Sequence, residues 1–189
     1  MRLFVATHPE IVVDPAIPVP RWSLSDRGIL RARAFARRPL LKDLRAVWSS
    51  DETKAIEAAG LVAAPHGLSV QVHKGLAEID RSATGYLSHD EHFAVADAAF
   101  AAPQRSIRGW ERIFDAEKRM VAATEDILAG HSGGDILLMC HGGVATLLRC
   151  HLLGVAISRA LDQPFSGHVF TVDLATRQLL TGWEPIEAA

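Results

Sequence analysis

The chain has 189 residues, 49% of them hydrophobic and 22% charged. That is the balance of a folded globular protein, not of a disordered or fibrous one, and the length suits one substantial core. The formal net charge of −2 and the dispersed basic residues exclude bulk nucleic-acid binding, so any bound anion must be held locally.

Residues 2–6 read as a buried strand that ends just before His8 and Pro9. This apolar run is too short for a signal-peptide core or a membrane span, so no membrane partner is expected. The stretch 14–20, with Pro15, Pro18 and Pro20, is a loop. Ser25 caps a helix that runs to about residue 38 and stops before Pro39. A second strand at 45–48 leads through Ser49-Ser50-Asp51-Glu52 into a helix that ends near Pro65 and Gly67, and 69–72 alternate as a third strand. Ser50 and Thr53 are read as cap and turn residues.

From 75 to 108 the pattern is irregular apart from one helix over 88–100. A long helix over about 110–129 stops at Gly130, and the spacing of Glu111, Asp115 and Arg119 suggests ion pairs on its solvated face. A Gly133-Gly134 turn precedes a fourth strand at 136–140, then His141 and a helix over 144–153. Residues 169–172 and 179–182 close the chain as two strands about a turn near 175–177. Strands interleaved with helices predict an α/β protein: a three-layer α/β/α sandwich with a mostly parallel central sheet, one domain over 1–189. Cys140 and Cys150 fall in apolar surroundings, which suits free thiols in a reducing compartment and a cytoplasmic location.

His8 and His141 each follow a buried strand directly. Ligands of open α/β sheets bind beyond the carboxyl ends of the strands, so two such histidines can converge on one pocket. Gly142-Gly143, at the turn into the next helix, lets backbone amides approach an anion closely.

The order of these segments resembles the histidine phosphatase superfamily, the phosphoglycerate mutase-like proteins. The likeness rests on the strand ending in His8, Trp22 to Gly28, Val47-Trp48-Ser49-Ser50, Leu76-Ala77-Glu78-Ile79, the spaced Glu111 and Arg119, and Met139-Cys140-His141-Gly142-Gly143-Val144. The resemblance implies the phosphoglycerate mutase-like fold and a phosphohistidine formed on His8, with His141 donating to the transferring phosphoryl oxygens. It implies Glu78 as the acid for the leaving oxygen, residues 81–108 as a lid, and a phosphomonoester or phosphate as the small-molecule partner. No cofactor is implied.

The chain departs from the family pattern where phosphate is gripped. Arg-His-Gly is replaced by Thr7-His8-Pro9, and the second motif arginine by Lys54. Arginine holds phosphate through a planar fork, lysine as a point charge, and threonine through one hydroxyl. Arg81 is the expected compensating cation, with Arg21 second, and Gly142 the expected backbone donor. Three functions are compatible with this set: a metal-independent phosphatase, an anion-binding or interaction protein without turnover, and a mutase. The first is favoured because both histidines and the acid are retained. No metal is expected, since His89 and His92 are three residues apart instead of the four of the His-Glu-x-x-His motif. Cys140, inside an apolar strand, is not expected to be a nucleophile. No pattern specifies an oligomeric state.

Overall fold

A computed structural model describes residues 1–188. Six strands form one sheet: β1 (Arg2–Thr7), β2 (Leu44–Ser49), β3 (Val70–Val72), β4 (Asp135–Cys140), β5 (His168–Asp173) and β6 (Glu184–Pro185), in the order β3-β2-β4-β1-β5-β6. The β3-β2, β2-β4 and β4-β1 pairs are parallel, while β5 pairs antiparallel with both β1 and β6. Five longer helices accompany them: α1 (Asp26–Ala36), α2 (Thr53–Ala63), α3 (His89–Ala101), α4 (Ile113–Ala129) and α5 (Gly142–Leu153). The α/β architecture therefore matches the expectation from sequence.

The central strands are apolar throughout because both faces are covered. Along β1, Leu3 and Val5 join one buried cluster while Phe4 and Ala6 join another. The same alternation runs along β4, with Ile136, Leu138 and Cys140 on one side and Leu137 and Met139 on the other. Helices α4 and α5 pack on the first face, α1 and α2 against the second. Register between β1 and β4 is anchored at their amino ends, where buried Asp135 accepts from the Arg2 backbone N–H at 2.7 Å and from its guanidinium at 2.6 and 2.9 Å.

Two expectations need correction. Residues 179–182 do not form a strand; Leu179 makes only an isolated bridge to Val172, and the sheet is completed by the short Glu184–Pro185 strand. Gly182 and the exposed Leu180 leave too little apolar surface there to anchor a strand. Helix α4 begins at Ile113, so Glu111 precedes it and is not on its solvated face. The Arg119 guanidinium instead pairs with Glu111 at 2.8 Å and donates to the carbonyls of Gly75, Ala77 and Glu78. It clasps the segment that carries Glu78. Among the described residues no helix is long and apolar enough to cross a membrane.

Candidate active site

The sheet register brings the two histidines together. Thr7 is opposite Cys140 in the parallel β1-β4 ladder, and the His8 N–H continues it by donating to the Cys140 carbonyl at 3.1 Å. The next residues therefore leave the sheet side by side, with the His8 and His141 rings 5.2 Å apart between centroids and inclined by 66°.

His8 is prepared as a nucleophile by its own backbone. Its Nδ1 lies 2.8 Å from the Pro9 carbonyl oxygen, which can only accept, so Nδ1 carries the proton and Nε2 the lone pair. Burial, aided by the positive charges of Lys54 and Arg81, lowers the ring's pKa to about 4 despite the Pro9 contact and Glu52. The ring is therefore neutral at physiological pH.

His141 is buried, its Nε2 2.7 Å from the Ser50 hydroxyl and 3.4 Å from Glu52 Oε1. Its Nδ1 has no hydrogen-bond partner among the described residues. Burial holds its pKa well below the ordinary value, opposed by Glu52. Glu52 also accepts from the Glu78 backbone N–H at 2.9 Å and pairs with the Lys54 ammonium. Burial alone would raise Glu52, but the neighbouring His141 and Lys54 and these hydrogen bonds bring it down to about 2. It is a fixed buried anion.

Sequence reasoning missed Glu52, and it took Ser50 for a cap alone. Ser50 does accept from the Glu52 N–H, but it also touches His141. An acidic residue between the serine pair and Lys54 was the available signal, since a buried lysine has to be paired.

The expected phosphate ligands fare unequally. Lys54 is buried, its ammonium bonded to Glu52 and to the Val19 carbonyl at 3.0 Å. Thr7 turns away from the anion role: its hydroxyl donates to Gln163 Oε1 at 2.6 Å and accepts from the N–H groups of Gly167 and His168. A threonine at the carboxyl end of an inner strand, facing the turn before β5, finds those amides before it finds a ligand. Arg81 lines the same cavity as His8, and its guanidinium is bonded only to the His92 ring, 2.9 Å from Nδ1, among the described residues. Arg21 lies in a separate cavity of about 650 Å³ under the proline-rich loop, which shares Glu78, Ile79 and Arg81 with the histidine cavity.

Glu78 caps α5. Its Oε2 accepts from Gly143 N–H at 3.0 Å, and its Oε1 from Val144 at 3.2 Å and Ile79 at 2.9 Å. Three backbone amides thus fix the position of the side chain at the amino end of α5. Gly143 is required for this closeness, because a Cβ there would stand 2.6 Å from Glu78 Oε1. A Cβ on Gly142 would meet the Gln163 amide nitrogen at 2.7 Å.

The cavity that holds His8, about 350 Å³, is lined further by His92, Phe93, Phe100, Trp110, Arg159 and Gln163. The segment 81–108, expected as a lid, contains α3, which is capped by a reciprocal Ser88-Glu91 box. His92 packs against Trp110 and is lowered to about 4 by burial and the charges of Arg81 and Arg159. Cys140 is fully buried, and burial pushes its thiol up, away from thiolate chemistry. Among the described residues no group of three or more His, Cys, Asp or Glu is placed to hold a metal ion.

A family model for the histidine phosphatase superfamily (branch 1) matches residues 19–174. The chain belongs to the histidine phosphatase superfamily. The matched range contains Lys54, Glu78 and His141 and begins after His8. No curated protein sequence matches the chain. Among solved structures, a mycobacterial glucosyl-3-phosphoglycerate phosphatase with inorganic phosphate superposes with a TM-score of 0.83 at 20% identity, covering 100% of this chain and 99% of that one. A putative alpha-ribazole-5'-P phosphatase from Escherichia coli gives 0.80 at 20% identity, covering 100% and 99%. Entamoeba histolytica phosphoserine phosphatase in complex with 3-phosphoglyceric acid gives 0.78 at 16% identity, covering 99% of each chain. At such identities the likeness is one of fold, and this histidine phosphatase superfamily member takes its chemistry from its own residues.

Proposed function

We propose that the protein is a metal-independent phosphomonoester hydrolase that works through a phosphohistidine on His8. The observation that carries this reading is the Nδ1 contact to the Pro9 carbonyl at 2.8 Å, which commits one ring nitrogen and leaves Nε2 free to attack. The free Nε2 forms a bond to phosphorus as the ester P–O bond breaks; water then attacks the phosphohistidine, returning the lone pair to Nε2 and releasing phosphate. The Gly142 amide, the Arg81 guanidinium and the Gln163 side chain flank that space and supply donors for the phosphoryl oxygens. Lys54 contributes through its field, since its ammonium is already bonded to Glu52. The cavity suits a small phosphorylated substrate, with α3 as its lid. The two buried free thiols suit a reducing compartment such as the cytoplasm.

Hydrolysis is preferred to mutase chemistry because water needs no second-substrate site. The test is turnover of 4-nitrophenyl phosphate with excess chelator, wild type beside His8→Ala. The proposal expects chelator-insensitive release of phosphate and a loss of about a thousandfold or more in the variant. Equal, negligible rates would point to an anion-binding protein without turnover.

A further inference from the structure

We propose that His92 is a positioning residue for phosphoryl binding: its neutral imidazole holds the Arg81 guanidinium in the His8 cavity without cancelling its charge. This rests on the phosphatase reading above, in which Arg81 donates to the phosphoryl oxygens.

The cations around His8 are not equivalent. Lys54 is paired with Glu52, and Arg159, which lines the His8 cavity, is paired with Asp97 and with Asp162 at 2.7 Å. Arg81 lines the same cavity and pairs with no carboxylate among the described residues. Its guanidinium is held by the His92 ring, with Nη1 2.9 Å from Nδ1 and 3.2 Å from Nε2. Of the three cations, Arg81 alone keeps its charge available to an anion.

A long side chain that must be fixed at the moment of binding costs the entropy of fixing it. His92 removes that cost in advance. Either neutral tautomer leaves one ring nitrogen as an acceptor, so the guanidinium N–H finds a lone pair in both. A carboxylate in the same place would hold Arg81 as firmly, but it would contend with the phosphoryl dianion for the charge. Burial, with the charges of Arg81, Arg159 and His89, lowers the His92 pKa to about 4, so the ring is an acceptor throughout the physiological range.

The ring is itself supported. His92 lies in α3 and packs on buried Trp110, with centroids 5.3 Å apart and planes inclined by 35°. The Trp110 indole N–H donates to the Thr84 hydroxyl at 2.9 Å, and that hydroxyl donates to the Arg81 carbonyl at 3.2 Å. The Thr84 and Gly85 N–H groups close a turn onto the same carbonyl at 3.1 Å each. Trp110 thus steadies both ends of Arg81, the main chain through Thr84 and the guanidinium through His92.

The test measures the affinity of inorganic phosphate by calorimetry, and kcat/KM for 4-nitrophenyl phosphate, in a series at His92. His92→Phe keeps a ring against Trp110 but has no acceptor, and should weaken phosphate about tenfold. His92→Gln restores a neutral acceptor and should recover most of that loss. His92→Glu holds Arg81 but neutralises it, and should lose about tenfold or more. In an Arg81→Ala background, His92→Phe should change phosphate affinity by less than about twofold, because the ring acts only through Arg81. Should His92→Phe not fold, the contrast between His92→Gln and His92→Glu carries the same comparison. Wild-type affinity in His92→Phe, equal losses in His92→Gln and His92→Glu, or a full loss persisting without Arg81 would overturn the assignment. Phosphate binding without turnover in the wild type would count against the phosphatase reading alone, since the series still judges His92 by binding. Absence of both would remove both.

Discussion

The His8 backbone N–H donates to the Cys140 carbonyl at 3.1 Å, so the β1-β4 ladder itself sets the spacing of the two catalytic candidates. Any slip of that ladder would separate His8 from His141, and a one-residue slip would reverse the faces of the strand that moved. The clamp against slippage is at the other end of the sheet, where Arg2 and Asp135 share three hydrogen bonds.

Asp135→Ala should therefore lower stability by about 1–3 kcal/mol, because it leaves the Arg2 backbone N–H unpaired and its guanidinium with only the Leu40 carbonyl at 3.0 Å and Asp43 at 3.9 Å. Denaturant melts would measure it. Asp135→Asn, which keeps one acceptor, should cost less.

The buried Lys54-Glu52 pair gives a second stability prediction. Lys54→Met leaves Glu52 ionised and unpaired and should destabilise by about 3–5 kcal/mol. Combining it with Glu52→Leu should recover much of that loss. A double-mutant cycle in urea reads the coupling.

Gly142→Val places a branched side chain against the Gln163 amide, which already stands 2.7 Å from the Cβ position. Phosphate should then bind more weakly by about tenfold or more, although no charge has been removed. Competition of inorganic phosphate against substrate would show the change as a raised inhibition constant.

Acid should destabilise the fold in two windows. His8 and His92 are each lowered from 6.5 to about 4, so between those values the unfolded chain binds more protons than the folded one. Stability contributed by the neutral rings is complete above pH 6.5 and is lost as pH falls toward 4. Glu52, lowered from 4.5 to about 2, adds a second loss from pH 4.5 downward. Melting temperature against pH should fall across both windows, and His92→Phe should flatten the upper one. The neutral His8 should also keep its nucleophilicity down to about pH 4, so the acid limb of kcat/KM belongs there.

Much of the fold was legible because its signals are local. Apolar runs ending at His8 and His141, prolines around Ile17, and Gly142-Gly143 before a helical pattern mark strand ends, loop and turn directly. The failures concern pairing between distant residues. Nothing adjacent in sequence tells that Arg119 clasps the carbonyls of Gly75, Ala77 and Glu78, that Thr7 is taken up by Gln163 and the 167–168 amides, or that the Glu78 N–H is held by Glu52. Residue types named the chemistry; only the register of β1 on β4 and the path of the chain after β5 fixed which groups face which.

The most direct test of the central claim is to quench the protein during turnover of 32P-labelled phosphomonoester and locate the label. The account predicts a phosphoryl group on His8, labile in acid and stable in alkali, absent from His8→Ala and accumulating as the ester is consumed. Turnover with no labelled protein, or with the label on any other residue, would contradict it.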